Sequence, residues 1–166
     1  MKNQLLKERF MKEKIKYIFV ACSFLLFVMA CFNPVFVGGG NGQGLLCLIF
    51  GAFGIVMFPL FFIELFSGNF DYGYFWNFVW LANPLYVAVI FLLCKSKYKP
   101  AIKNSGLSLL LASSFIFCNR LVTSESGSPR EIGAKDIGYY LWLSAFVFMF
   151  VACIVGYWIE RKGGKR

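Results

Sequence analysis

The chain contains no histidine. That removes the side chain most used as a general base, the commonest metal ligand and the physiological pH switch. Charge is scarce as well. Only 15% of the residues are charged, where a soluble domain carries about a quarter. With 59% hydrophobic residues, disorder and an ordinary water-soluble globule are both excluded. The six cysteines, Cys22, Cys31, Cys47, Cys94, Cys118 and Cys153, form no C-x-x-C pair. Each lies in or beside an apolar run, so they read as single thiols packed as small hydrophobes, not as a disulfide framework or a zinc site. H-E-x-x-H, G-x-S-x-G and a close carboxylate pair at depth are all lacking. The expectation is therefore no catalytic residue, no cofactor and no metal. The glycine-rich stretch 38–44 lacks the G-K-[ST] ending of a phosphate loop and reads as a turn with left-handed positions.

What is present is apolar length. The 166 residues are enough for one domain, and the mean hydropathy is +0.67. Five apolar stretches occur, at about 17–32, 45–66, 75–94, 106–122 and 137–159. Each approaches the roughly 20 residues that span hydrocarbon. The charged N-terminus before the first stretch resembles a signal peptide, but no clean small-x-small site follows, so that stretch is expected to stay as a span.

Charge then decides the threading. Of 17 Lys and Arg residues, 14 fall in three clusters: Lys2–Lys16, Lys95–Lys103 and Arg161–Arg166. Basic residues accumulate in cytoplasmic flanks. Five spans would put two of these clusters outside. Four spans put all three inside and leave only Arg120, Arg130 and Lys135 elsewhere. The segment 45–66 is the one expected not to cross. It contains Gly51, Gly54 and Pro59, which weaken a helix interior, and Glu64, a carboxylate that is costly at depth. The expected fold is thus an all-α polytopic membrane bundle. It has four spans, about 16–33, 75–95, 104–122 and 137–160, and a re-entrant or interfacial segment at 45–66 broken near Phe58-Pro59. Five spans is the alternative. Both termini are expected in the cytoplasm, and residues 1–16 form a basic helix on anionic headgroups. The net charge of +9 is assigned to lipid and topology, not to nucleic acid.

Aromatics cluster where spans two and four begin, at Tyr72 to Trp80 and at Tyr139, Tyr140 and Trp142, as an interfacial belt does. Small residues form stripes for close helix packing: Ala145, Ala152 and Gly156 on one span, Ser105, Ser108, Ala112 and Asn119 on another. The pair Asn83-Pro84 implies either a kink in span two or a helix start with Asn83 as N-cap, and the kink fits the length better. Glu64 and Arg120 are the ionisable residues expected nearest the hydrocarbon. They are candidates for an ion pair with Asn119 and Asn77 as polar neighbours. The loop 123–131 reads as a solvated connector.

Three segments carry a resemblance. They are Gly44-Leu45-Leu46-Cys47-Leu48-Ile49-Phe50-Gly51, Trp80-Leu81-Ala82-Asn83-Pro84-Leu85 and Gly138-Tyr139-Tyr140-Leu141-Trp142-Leu143. Together they resemble a loose group of small bacterial inner-membrane proteins in which W-x-A-N-P-L opens one span and G-Y-Y-L-W-L opens the last. The resemblance covers about 30–158, and the stretch 56–74 departs from its pattern. It implies a bacterial cytoplasmic membrane and carries no activity. The expected function is non-enzymatic, through protein or lipid interaction. One version is immunity to a pore-forming toxin, because the four-span architecture resembles immunity proteins of the colicin A kind, though no motif matches. A second version is the membrane subunit of a phage-defence system. The alternative is a small oligomeric transporter or channel subunit.

Overall fold

Long runs of Leu, Ile, Phe and Ala form helices once the backbone groups have no water to bond. A computed structural model of the chain describes residues 2–38, 42–56, 58–68, 76–122 and 129–163; the side chains at 2–13, 54, 58, 60, 61, 64, 122, 129, 130, 162 and 163 are outside that description. The helices are α1 (Lys2–Cys31), α2 (Gly44–Val56), α3 (Phe58–Ser67), α4 (Ala82–Cys94), α5 (Tyr98–Ser114) and α6 (Ile137–Gly163). A 3-10 turn, Trp76–Leu81, runs directly into α4, and another, Phe115–Phe117, extends α5. Two short strands, β1 (Arg120–Val122) and β2 (Pro129–Glu131), pair antiparallel, with Arg120 opposite Glu131. The chain is otherwise mostly helical, as expected.

Prolines mark two of the helix starts. Pro84 and Pro100 each fall within the first three residues of α4 and α5, where the missing N–H has no helical partner to lose. The junction of α2 and α3, at position 57, lies outside the described residues, so the break expected near Phe58-Pro59 stays an expectation. Between α4 and α5 the chain reverses in three residues. The amide of Lys97 bonds to the Leu92 carbonyl (2.8 Å) and that of Ser96 to Leu93 (3.0 Å), with Ser96 left-handed at φ 54°. This is a Schellman closure.

Among the described residues, three helices are long and apolar enough to cross a membrane. They are Lys14–Cys31, Trp76–Cys94 and Ile137–Arg161. α1 packs along α6, α6 along α5, and α5 along α4. Large apolar side chains on the outside, among them Phe24, Leu25, Phe91, Leu110 and Phe148, are exposed, as lipid-facing positions are. Of the expected small stripes, Ala145, Ala152 and Gly156 on α6 and Ser105, Ser108 and Ala112 on α5 are buried, whereas Asn119 is exposed beyond the helix. Gly156 is required by contact, because a Cβ there would enter the ring of Tyr98.

A polar relay crosses the interior. Ser23 Oγ on α1 donates to the Ala145 carbonyl on α6 (2.7 Å). A hydroxyl has one proton, so the 2.8 Å contact with Tyr86 on α4 is Tyr86 donating to Ser23. Around it stack Phe27 on Tyr86 (5.0 Å between centroids), Phe146 on Tyr86 (5.1 Å) and Trp142 on Phe146 (4.9 Å).

The two ends of the molecule differ. At one, Lys16 is buried and its Nζ donates to the Tyr98 hydroxyl (3.1 Å), close to Gly156. This is the basic end. At the other, the segment after α1 pairs with the segment before α6. Val37 bonds to Ala134 (3.0 Å), Gly133 to Val37 (2.7 Å), Asp136 to Val35 (2.9 Å) and Gly138 to Pro34 (2.7 Å). Phe36, Phe115, Cys118, Ile132 and Tyr139 fill this cap.

Several expectations are corrected. The helix expected at 104–122 is instead Tyr98–Ser114 with its 3-10 extension, because the chain turns at Cys118 to enter β1. Arg120 and Asn119 therefore lie beyond the helix. Neither a kinked α-helix nor an Asn83 N-cap occurs. Leu81 precedes α4 without a side-chain cap, and the change from 3-10 to α absorbs Pro84. Tyr139, expected in the interfacial belt, is fully buried, while Tyr140 is exposed. The last three residues of the connector expected at 123–131 are the strand β2.

The relay yields a direct test. Ser23→Ala strands the Tyr86 hydroxyl and should cost about 1–2 kcal/mol in detergent unfolding. Adding Tyr86→Phe should cost less than the sum of the two single changes, and the double-mutant cycle measures the coupling.

Candidate functional site

A half-open cavity of about 100 Å³ lies between the cap end of α1, α2, the 3-10 turn Trp76–Leu81 and α6. Its wall is mostly aliphatic and aromatic. Two carboxamides interrupt it, those of Asn77 and Asn83, and two thiols, Cys31 and Cys47. No charged side chain is among the described residues lining it.

Local sequence builds each wall. α2 supplies Leu46, Cys47, Leu48, Phe50 and Gly51. Gly51 is not a helix break, as its type suggested; α2 continues past it to Val56. Instead it makes room, because a Cβ at 51 would enter the indole of Trp80. Trp80 lies across α2 there, and its Nε1 donates to the Leu48 carbonyl at 2.6 Å. Gly44 likewise lets α2 start against the backbone of Ala30. The third wall comes from α6, where Trp142 Nε1 donates to Asn83 Oδ1 at 2.9 Å. The Asn83 carboxamide is thus a fixed part of the wall, tied to a neighbouring helix.

Asn77 differs. It is only 5% exposed, and its Nδ2 has no hydrogen-bond partner. Buried amide donors are nearly always paired, so this group is the polar anomaly of the site.

The sequence-derived candidates separate cleanly. Asn77 and Asn83 come together on the cavity wall. Pro84 is exposed on the first turn of α4. Asn119 and Arg120 are exposed at the cap and are not among the cavity-lining residues; the Asn119 carbonyl accepts the Ile132 amide (2.9 Å). The side chain of Glu64 lies outside the described residues, so the Glu64–Arg120 pair stays an expectation. Trp80, Trp142, Gly51 and Phe27 were not anticipated as site residues. A signal for three of them existed, since Gly51, Trp80 and Trp142 belong to the three quoted segments, which converge here.

All six cysteines are free thiols. Cys118, in the cap, is wholly buried, and burial pushes its thiol up to about 12 despite the opposing Lys135 charge and a bond to the Arg120 carbonyl. It is protonated at neutral pH and therefore a poor nucleophile. Burial also pulls the neighbouring Lys135 ammonium below its usual value. That ammonium donates to the Cys118 carbonyl and sits 4.8 Å over the Phe115 ring. These contacts fasten the cap. Among the described residues no group of three His, Cys, Asp or Glu side chains is arranged to hold a metal.

No known family, no curated protein and no solved structure matches the chain.

The wall contact between α4 and α6 is measurable. Trp142→Phe leaves Asn83 Oδ1 without its donor and should destabilise the protein by about 1–3 kcal/mol. Asn83→Leu added to that variant should recover part of the loss, read as the midpoint of thermal unfolding.

Proposed function

We propose that the chain is a non-enzymatic membrane protein with four spans, acting by holding an apolar partner in the cavity at the level of the bilayer. The observation that carries the reading is the convergence of three separate segments on one apolar cavity whose described lining holds carboxamides, thiols and indoles but no charged side chain. Such a wall suits binding. Acid–base chemistry needs a titratable group near neutral pH, and the chain has no histidine.

The threading that goes with this reading has the basic end in the cytoplasm. α5 with its 3-10 extension is the fourth span. Its 17 helical residues rise about 25 Å, the 3-10 turn adds about 6 Å, and the total matches a core of about 30 Å. It lies between α4 and α6; α6, and α4 together with the 3-10 turn that leads into it, are long enough to cross. Lys16, Tyr98 and Gly156 meet at one end, so three basic clusters flank the same side. That leaves α2 and α3 as a re-entrant pair entering from the cap side.

Within this reading the partner is a lipid or the apolar helix of another protein. Toxin immunity and a phage-defence membrane subunit are the biological settings that fit, in a bacterial cytoplasmic membrane. A channel subunit needs Asn83 on a shared polar path, and Asn83 is buried and bonded to Trp142. The interaction reading is therefore preferred.

Two experiments test it. Single cysteines replace Lys97, Ser126 and Gly164 on a background lacking the native six. In intact cells an impermeant maleimide should label only the one at 126. Labelling at 97 and 164 instead means that 45–66 crosses and the threading is wrong. Native mass spectrometry of the protein extracted in mild detergent should find a bound mass that Cys47→Phe, which fills the cavity, lacks. Identical spectra for the two proteins, with no bound mass, overturn the binding reading.

A further inference from the structure

We propose that the cavity takes an acyl chain bearing a carbonyl or carboxylate oxygen, and that Asn77 Nδ2 donates to that oxygen. The inference rests on the cavity being a binding site and names the ligand class. Its first support is the anomaly itself: Asn77 lines the void and is only 5% exposed, and its Nδ2 is unpaired and closed to solvent, so that meeting a ligand takes a turn of the carboxamide. An unpaired buried donor is costly, and a ligand acceptor removes the cost. The donor selects the chemistry, because an amide N–H needs an acceptor and offers nothing to a cation.

The second support is the rest of the wall. Phe27, Leu46, Phe50, Val79 and Phe115 present hydrocarbon and no charge, which suits a polymethylene chain and not a sugar or a nucleotide. The third support is access. α2 forms one wall, and its Leu45, Ile49 and Phe53 are exposed. In the bilayer the molecules against that face are lipids. Fatty acids and glycerophospholipid esters share the required chemistry.

The chain carries its own probes. Three of its four tryptophans, Trp76, Trp80 and Trp142, line the cavity, and the fourth, Trp158, is exposed on α6. Trp158→Phe protein in an alkyl maltoside, which lacks carbonyl oxygens, is titrated with 9,10-dibromostearic acid, whose bromines quench indole on contact. A dibrominated phosphatidylcholine and a dibromoalkane of equal length are run in parallel. The expected result is saturable quenching by the acid or the phospholipid, whichever supplies the chain, and at least tenfold weaker binding of the alkane. Asn77→Leu should weaken the oxygen-bearing ligand about tenfold and leave the alkane unchanged. Equal binding of acid, phospholipid and alkane, or an Asn77→Leu variant that binds the acid as well as the parent, overturns the carbonyl assignment and leaves the cavity reading standing. No saturable quenching by any of the three overturns both. The alkane comparison uses the unsubstituted wall, so it decides the matter even where Asn77→Leu fails to fold.

Discussion

Helices immersed in lipid gain nothing from excluding water from one another. Their contacts must come from close packing and from polar groups that find partners only across an interface. The Tyr86–Ser23–Ala145 relay is that constraint here. It ties α4 and α1 to the backbone of α6 through one serine. With it in place, the stack of Phe27, Tyr86, Phe146 and Trp142 is fixed in register. Trp142 can then reach Asn83, and the cavity wall follows from that contact. A single hydroxyl thus sets the geometry of a site one to two helical turns away.

The two ends of the molecule are closed by different physics. At the basic end a buried lysine is held by an aromatic hydroxyl and by ring faces, with Nζ 4.6 Å from the Tyr17 centroid and 5.4 Å from that of Tyr98. At the other end backbone pairing does the work, between residues 33–38 and 132–138 and between β1 and β2. The cap brings Phe36, Phe115 and Leu121 over the cavity. A small ladder can form there because the backbone at a helix end still has unpaired groups to satisfy.

Much of the site was legible only as unconnected pieces. The segments at 44–51, 80–85 and 138–143 stand out by their resemblance to one group of membrane proteins, and each contributes residues to the cavity wall. Their meeting was not readable, because it depends on Trp80 lying over Gly51, two residues 29 positions apart in the chain. Gly51 had been read as a defect in a helix. It is a gap cut for a ring. Asn77, expected as a polar neighbour of Glu64 and Arg120, lies on an apolar wall beside Asn83. Arg120 lies beyond its expected helix because an apolar run hides where a helix stops; hydropathy continues through Phe117 while the α-helical bonding ends at Ser114 and gives way to a 3-10 turn.

The sequence by itself determined that this is a membrane chain of apolar helices, that the basic clusters sit at helix ends, and which small residues face other helices. Those properties depend on composition and on a period of 3.6 residues, and both can be read along a line. Tertiary structure alone decided that α5 ends at Ser114, that a strand pair caps one end, and that two asparagines share a cavity. These follow from contacts between residues far apart in the chain. Each is chosen by which donor reaches which acceptor after the helices have packed, and no local pattern encodes that choice.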